Sequence, residues 1–339
     1  MTRPRAVFAM NPRLVRSVFD EDALARLRRA ADIDTSLVLG ELDSDRSRDA
    51  LAGAEILVAG WDAPLVRAEH LDLTERLRAV VYAGGVAATC LEDPAVFAAR
   101  GVVAANARAA NSGPVAEYAL AMILLANKRI LPEERRYRAA RTLPDHFGGY
   151  AGRGNYRQTV GIVGASTVGR AVLALLRPFD LDVLLYDPTV TAEQAAALGA
   201  RLVPLDELMA HSRVVSLHQP LTPGTRGQID AGRLALMPDG ATLVNTARGA
   251  VVDQDALLAE VRTGRIDAVL DVTDPEPPDT ASELWTLDNV VLTPHLAGSL
   301  GGELHRIGDT VVDEVERFAA GRPFAHPEDL AASARTRVW

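Results

Sequence analysis

Short apolar runs alternate with stretches of helical spacing along almost the whole chain. In the first hundred or so residues, Ala6–Met10, Glu55–Ala59, Ala79–Tyr82 and Val102–Ala104 are short enough for buried strands. Between them, Asp20–Ala30, Ala63–Glu69 and Pro94–Arg100 place apolar residues at helical spacing, with Asp20 as an N-cap. A second series starts at Val160–Val163 and continues through Val183–Tyr186, Val214–Leu217, Thr242–Asn245, Ala268–Leu270 and Val290–Leu292. Helices fall between these runs, among them Asp206–Ala210 and Asp255–Thr263. Continuous apolar runs predict strands buried on both faces, and strand–helix alternation predicts parallel sheets covered by helices. The pattern predicts an α/β protein with two such domains.

The two series are joined by Asn106–Pro114, rich in small and polar residues, and by a helix from Val115 to about Ile130 that is apolar nearly all round and so is expected to be buried. From Leu131 to Arg157 the pattern weakens, and there are seven arginines from Arg129 to Arg157 inclusive. That stretch reads either as an arm against a second subunit or as a solvated surface segment. A last helix, Gly302 to Ala320, precedes Arg322-Pro323-Phe324, where the chain is expected to return to the first domain. The predicted division is 1–106 with 302–339, and 107–301.

Chemistry gathers in the second series. Val160 to Arg170 reads as a strand, a tight turn and the start of a helix, with Gly164 opening the turn and Gly169 where the helix meets the sheet. Such a turn aims N–H groups and a helix dipole at one point, which suits a pyrophosphate. Ser166 stands where the dinucleotide fingerprint has its middle glycine. Its Cβ pushes a phosphate slightly away, while its hydroxyl can donate to it. Asp187 ends the next strand roughly 20 positions on, where a carboxylate holds a ribose 2′-hydroxyl. The later strand ends carry His218-Gln219-Pro220, Thr246-Ala247-Arg248-Gly249, Asp271 to Pro278 and Thr293-Pro294-His295, all directed to one sheet edge. In the first domain, Ala83-Gly84-Gly85-Val86 follows a strand and could offer bare N–H groups to a carboxylate. Taken alone, it reads more simply as a turn that needs glycine for its dihedrals.

Composition narrows the classes. The 339 residues are 48% hydrophobic and 24% charged with a net charge of −9, which argues against generic binding to nucleic acid or anionic membranes. No run of about 18 apolar residues predicts a membrane span. Cys90, the single cysteine, excludes an internal disulfide framework, fits a reducing cytoplasm and reads as a core residue. No metal site is expected.

Three ordered motifs resemble successive signatures of the D-isomer-specific 2-hydroxyacid dehydrogenase family: Asn245 to Asp253, Asp271 to Pro277, and Thr293-Pro294-His295-Leu296-Ala297-Gly298. Asn106 to Tyr118 is similar to the start of that family's interdomain helix, and Leu217 to Thr222 to its adenosine-side loop. The resemblance implies two Rossmann-like domains: a doubly wound parallel-sheet NAD-binding domain and a flavodoxin-like substrate domain, clamping a 2-oxo acid between them. It implies catalytic roles for Arg248, Glu276 and His295. A guanidinium suits the substrate's carboxylate and carbonyl, an imidazole the proton transfer, and a carboxylate the orientation of that imidazole. It implies that NAD is held by Gly164, Ser166, Thr167, Val168, Gly169 and Asp187, and by His218, Gln219 and Pro220. Further contacts are Thr246, Ala247, Arg248, Asp271, His295 and Gly298, and Gly84 and Gly85 bind substrate. With Asp187 repelling a 2′-phosphate and no arginine in Pro188-Thr189, NAD is preferred over NADP. A homodimer built on the nucleotide domains is also implied. Two other functions fit the same resemblance: an NADH-sensing corepressor-like binding protein, and hydride transfer from another small anion such as phosphite. Glu276 stands where the formate-oxidising relatives carry an amide, which speaks against formate.

Overall fold

The computed structural model describes residues 2–143, 150 and 152–335. The chain forms two compact units. One runs to Asn111 and resumes at Ser299, and the other is Ser112–Gly298.

The first unit holds strands β1 (Ala6–Ala9), β2 (Val38–Leu39), β3 (Ile56–Gly60), β4 (Ala79–Ala83) and β5 (Val103–Asn106). The second holds β6 (Thr159–Val163), β7 (Asp182–Tyr186), β8 (Arg201–Leu202), β9 (Val214–Leu217), β10 (Thr242–Asn245), β11 (Asp267–Leu270) and β12 (Val290–Leu292). The chain returns to the first sheet as β13 (Pro327–Glu328), antiparallel to β5 with Glu328 opposite Ala104. The first sheet is ordered β2-β1-β3-β4-β5-β13 and is parallel apart from β13. This is the flavodoxin-like order. The second is ordered β8-β7-β6-β9-β10-β11-β12 and is parallel throughout. This is the doubly wound dinucleotide-binding order, and its direction reverses between β6 and β9. Every residue of β1, β3, β4, β9, β10 and β11 is buried, which is why β1, β3 and β4 read as unbroken apolar runs and the other three as mainly apolar ones.

Three expectations are corrected. The segment 63–69 is not a helix: Asp62 has φ 56°, and Val66 forms a strand-like bridge with Leu91. Only the 3-10 turn Ala68–His70 remains of it. Pro64 and the bonds of Val66 with the 90–92 segment outweigh the helical spacing. The connecting helix starts at Arg108, not Val115, and carries Pro114 within it. Pro114 has no N–H to give the carbonyl of Ala110, and the chain passes from one unit to the other just before it. The helix Arg108–Asn127 is long and apolar enough to cross a membrane, the one such helix among the described residues. It was expected to be buried nearly all round, yet only 33% of that apolar stretch is buried: one face, with Ala116, Ala119 and Ile123, packs in a cluster with Val160 and Ile162 of β6.

Beyond it lies the helix Ile130–Ala140, none of whose residues is buried. The arginine-rich stretch is not uniformly solvated. Arg129 makes a two-pronged pair with Asp267 at 2.9 and 2.8 Å, and Arg153 pairs with Glu133 at 2.9 Å. Part of the proposed arm, 144–149 and 151, lies outside the described residues. Cys90 is a buried core residue, and burial pushes its thiol pKa up to about 12.

Candidate active site

The turn after β6 shows why two of its residues must be glycine and a third need not be. Gly164 has φ 97°, and a Cβ on it would lie 2.7 Å from the backbone nitrogen of Gln219. A Cβ on Gly169 would lie 2.0 Å from the Gly164 carbonyl oxygen. Ser166 has φ −62° and ψ 179°, open to any residue, and its Oγ caps the helix Thr167–Leu176 by accepting from Gly169 N–H at 3.3 Å. Serine costs the backbone nothing there, and its own hydrogen is left to donate. Thr167 is exposed and Val168 half-buried in the first turn. Asp187, at the end of β7, accepts from Ala165 N–H at 2.7 Å, Thr189 N–H at 2.8 Å and the Thr189 hydroxyl at 2.6 Å. Burial works to raise its pKa. The Thr189 and Ala165 donors, with Arg170 nearby, outweigh burial and hold the carboxyl below the usual carboxylate range. A fixed negative charge therefore stands beside the glycine turn.

At the ends of β9 and β10 the polar groups are buried. His218 is 5% exposed, its Nε2 lies 2.9 Å from Ser216 Oγ, and burial pushes its pKa down to about 3. It stays neutral near pH 7, and of the two histidines expected at this edge only His295 is exposed. His218 Nδ1, Gln219 Oε1 and Thr246 Oγ1 are buried without a hydrogen-bond partner among the described residues. Each such atom costs about 1–3 kcal/mol when left unpaired. Three of them at adjacent strand ends, the Gln219 backbone directly against Gly164, fit a polar ligand that completes them. Pro220 is exposed at the rim and Ala247 is buried. The cradle and the unpaired atoms thus suit a dinucleotide, with Asp187 placed for a neutral ribose.

Arg248 follows β10 in extended conformation, exposed, with Nη1 donating to the Ala247 carbonyl at 2.7 Å. The next residue, Gly249, brings this loop against the one after β11. A Cβ there would lie 2.0 Å from both the carbonyl carbon and oxygen of Thr273. Glu276 sits on that second loop, and its Oε1 lies 2.6 Å from Nδ1 of His295. Both side chains are open to solvent, His295 at 53% and Glu276 at 42%.

His295 has φ 52°, a left-handed conformation that a non-glycine residue holds only when its surroundings enforce it. Asp271 supplies that enforcement. Its main-chain oxygen accepts from His295 N–H at 3.0 Å. Its carboxylate, in a residue 2% exposed, accepts from Leu296 N–H at 2.8 Å, Ala297 N–H at 3.0 Å and the Thr293 hydroxyl at 2.6 Å. A hydroxyl that donates to the carboxylate must accept from its other neighbour. The Tyr118 hydroxyl therefore donates to Thr293 Oγ1, 2.8 Å away. Gly298 closes the same loop, half-buried. Reading the sequence missed Tyr118, which looked like one more apolar position of its helix, and Thr293, whose only signal was its place beside Pro294-His295. Asp271, expected as a cofactor contact, also has a second task that the sequence did not show: its oxygens hold the His295 loop.

In the first unit, neither Gly84 nor Gly85 has a positive φ, so the loop does not need glycine for its dihedrals. A Cβ on Gly84 would strike the Tyr82 ring at 2.6 Å, and one on Gly85 would meet nothing within 4 Å. Among the described residues the N–H groups of Gly85 and Val86 donate to no protein acceptor.

Residues 120–297 match the family model described as D-isomer specific 2-hydroxyacid dehydrogenase, NAD binding domain. The D-3-phosphoglycerate dehydrogenase of Mycobacterium leprae is 38% identical over 260 residues, 76% of this chain and 48% of that protein. The hydroxypyruvate reductase of Thermotoga maritima is 29% identical over 89% of this chain and 96% of that protein. The chain spans about half the length of the phosphoglycerate dehydrogenases it matches. The crystal structure of D-lactate dehydrogenase from Aquifex aeolicus, complexed with NAD and lactic acid, is similar with a TM-score of 0.71 at 28% identity, covering 94% of this chain and 96% of that one. The match takes in the Gly164 turn, Asp187, Arg248, Glu276 and most of the His295 loop, and the chain belongs to the D-isomer specific 2-hydroxyacid dehydrogenase family.

Proposed function

We propose that the chain is an NAD-dependent oxidoreductase that moves hydride between NADH and C2 of a 2-oxo acid or its D-2-hydroxy acid. The observation that carries this reading is the 2.6 Å contact between His295 Nδ1 and Glu276 Oε1 on an exposed rim. With Nδ1–H held by the carboxylate, Nε2 is the nitrogen that faces a substrate oxygen. It gives that oxygen a proton in reduction and takes it back in oxidation. Glu276 fixes the ring and its tautomer. The guanidinium of Arg248 binds the substrate carboxylate and polarises the carbonyl.

The bound nicotinamide supplies the hydride. Gly164, Ser166, Thr167, Val168 and Gly169 hold the pyrophosphate of that cofactor, and Asp187 binds the ribose hydroxyls and repels a 2′-phosphate, which favours NAD over NADP. His218, Gln219, Pro220, Thr246, Ala247, Arg248, His295 and Gly298 line the rest of its path. Gly84 and Gly85 belong to the substrate loop, in which the open N–H groups of Gly85 and Val86 suit a carboxylate. The substrate is a small 2-oxo or 2-hydroxy acid, the class for which the phosphoglycerate, hydroxypyruvate and lactate enzymes among its relatives are named. We place it in the cytoplasm, as a homodimer joined along the nucleotide unit. The helix Ile130–Ala140, with no buried residue, and the exposed Tyr137 and Leu143 support that surface.

The test is oxidation of NADH and of NADPH, followed by absorbance, against a panel of 2-oxo acids. Turnover with NADH is expected for at least one acid. His295→Ala should lower kcat by about 10²–10⁴-fold, and Arg248→Ala should both raise KM and lower kcat. Near wild-type turnover by the His295 variant overturns the assignment.

A further inference from the structure

The loop that carries Gly84 and Gly85 ends in two buried residues, Ala87 and Ala88, whose N–H groups must find acceptors. They find one distant carboxylate. Glu328 Oε2 accepts from Ala87 N–H at 2.7 Å and Oε1 from Ala88 N–H at 3.0 Å, across more than two-thirds of the chain. Glu328 sits on β13, the returning strand. The same carboxylate accepts from the side-chain amide of Asn106 at 2.7 Å and from the Ser333 hydroxyl at 3.3 Å.

These bonds close a ring around the loop. Asn106 Oδ1 accepts from Arg108 N–H at 3.2 Å, and Arg108 Nε donates to the Gly85 carbonyl at 3.0 Å. The loop from Gly85 to Ala88 is thus held at one end by Arg108 and at the other by Glu328, with Asn106 joining the two holders. Of the N–H groups from 85 to 88, only those of Gly85 and Val86 are left without a protein acceptor among the described residues. A carboxylate is the one side-chain group that can take both alanine N–H groups and the Asn106 amide at once, because it only accepts.

We propose that Glu328 is a positioning residue for the substrate loop, fixing the N–H groups of Gly85 and Val86 so that they can receive the substrate carboxylate. This rests on the dehydrogenase reading given above. Glu328 touches neither substrate nor cofactor, so its removal acts on substrate affinity and leaves the nucleotide site alone.

Glu328→Gln keeps the shape of the side chain but points an NH2 group at N–H donors. In E328Q the KM for the 2-oxo acid should rise about 10-fold, with kcat within about threefold and NADH affinity unchanged. Hydrogen exchange of the amides from 85 to 90 should quicken. If β13 does not tolerate the change, Asn106→Ala leaves the strand in place and should raise KM in the same direction by about threefold. Wild-type turnover together with an unchanged KM in E328Q overturns this proposal alone, as does a KM rise matched by an equal loss of NADH affinity. No wild-type turnover removes the underlying reading and this proposal with it.

Discussion

Gly249→Ala tests whether the Arg248 and Glu276 loops act as one unit. The added methyl would stand 2.0 Å from the carbonyl carbon and oxygen of Thr273 and 2.6 Å from the nitrogen of Asp274. All three are backbone atoms, so no side chain can swing away. Ordinary contact needs about 3.5 Å, and the two loops must therefore part by about 1.5 Å. The Glu276 loop is tied down close by: Thr273 Oγ1 donates to the Pro275 carbonyl at 2.8 Å, and Asp274 N–H to Gln254 Oε1 at 2.9 Å. The strain is expected to cost about 1–3 kcal/mol of stability, a fall of roughly 2–4 °C in Tm per kcal/mol for a unit of this size. Displacing catalytic groups by about 1 Å can cost 10²-fold in rate. The expected outcome is a kcat/KM down about 100-fold, with NADH affinity, measured by fluorescence titration, changed far less. Gly232→Ala is the control. It lies within an exposed helix, its Cβ would meet only Asp230 Oδ1 at 3.4 Å, and it should stabilise by roughly 0.5–1 kcal/mol. A Gly249→Ala enzyme within threefold of wild-type kcat/KM and with unchanged Tm refutes the reasoning.

Thr293→Val breaks the Tyr118–Thr293–Asp271 chain and leaves the Tyr118 hydroxyl without its acceptor. It should lower kcat about 10-fold with little change in NADH affinity, and Thr293→Ser should restore it; a serine variant as impaired as the valine one refutes the hydrogen-bond account. Ser166→Ala removes a helix cap and should cost about 0.5–2 kcal/mol in urea unfolding, whereas Ser166→Gly should cost only a few tenths; the reverse order would show that the cap is not what Ser166 supplies. His218 is held neutral with a folded pKa of about 3, below its ordinary value of 6.5, so the unfolded chain binds the extra proton first as pH falls. Its contribution is whole above pH 6.5 and is lost downward toward pH 3, by about 1.4 kcal/mol at pH 5.5. His218→Gln should flatten that part of the urea-midpoint curve, and an unchanged slope contradicts it.

Both sheets could be read from the chain because their central strands are buried on both faces. Runs such as Ile56–Gly60 and Ala79–Ala83 have no polar alternation to hide them. The strands that went unread, β2, β8 and β13, have two residues each and lie at sheet edges, too short to carry a period. The helix expected at 63–69 failed for the opposite reason. Its spacing was real, but Val66 bonds in strand fashion to the segment at Cys90–Glu92, a partner that no local window contains. The start of the connecting helix was placed late because Asn106–Pro114 is rich in small and polar residues and ends in a proline, yet the helix runs through Pro114 from Arg108.

The site divides along a similar line. Residues proposed to touch a ligand with a charge or a bare N–H have types and spacings that a chain displays openly: Gly164, Asp187, Arg248, Glu276 and His295 follow strand ends in order. Residues that hold those groups still are invisible in one dimension, since a buried carboxylate announces nothing about whose N–H it will accept. Asp271, buried, and Glu328, half-buried, are two cases, one in each unit, and each answers several backbone or side-chain donors of a loop that carries proposed binding groups. Their satisfied oxygens contrast with His218 Nδ1, Gln219 Oε1 and Thr246 Oγ1, which are buried and unpaired. It is the gathering of three unpaired atoms at adjacent strand ends that suits a ligand, and a carboxylate with several loop donors in place suits a group that must not move when the ligand arrives. Substituting the first kind should therefore weaken cofactor binding, and substituting the second should change turnover or substrate KM at unchanged cofactor affinity.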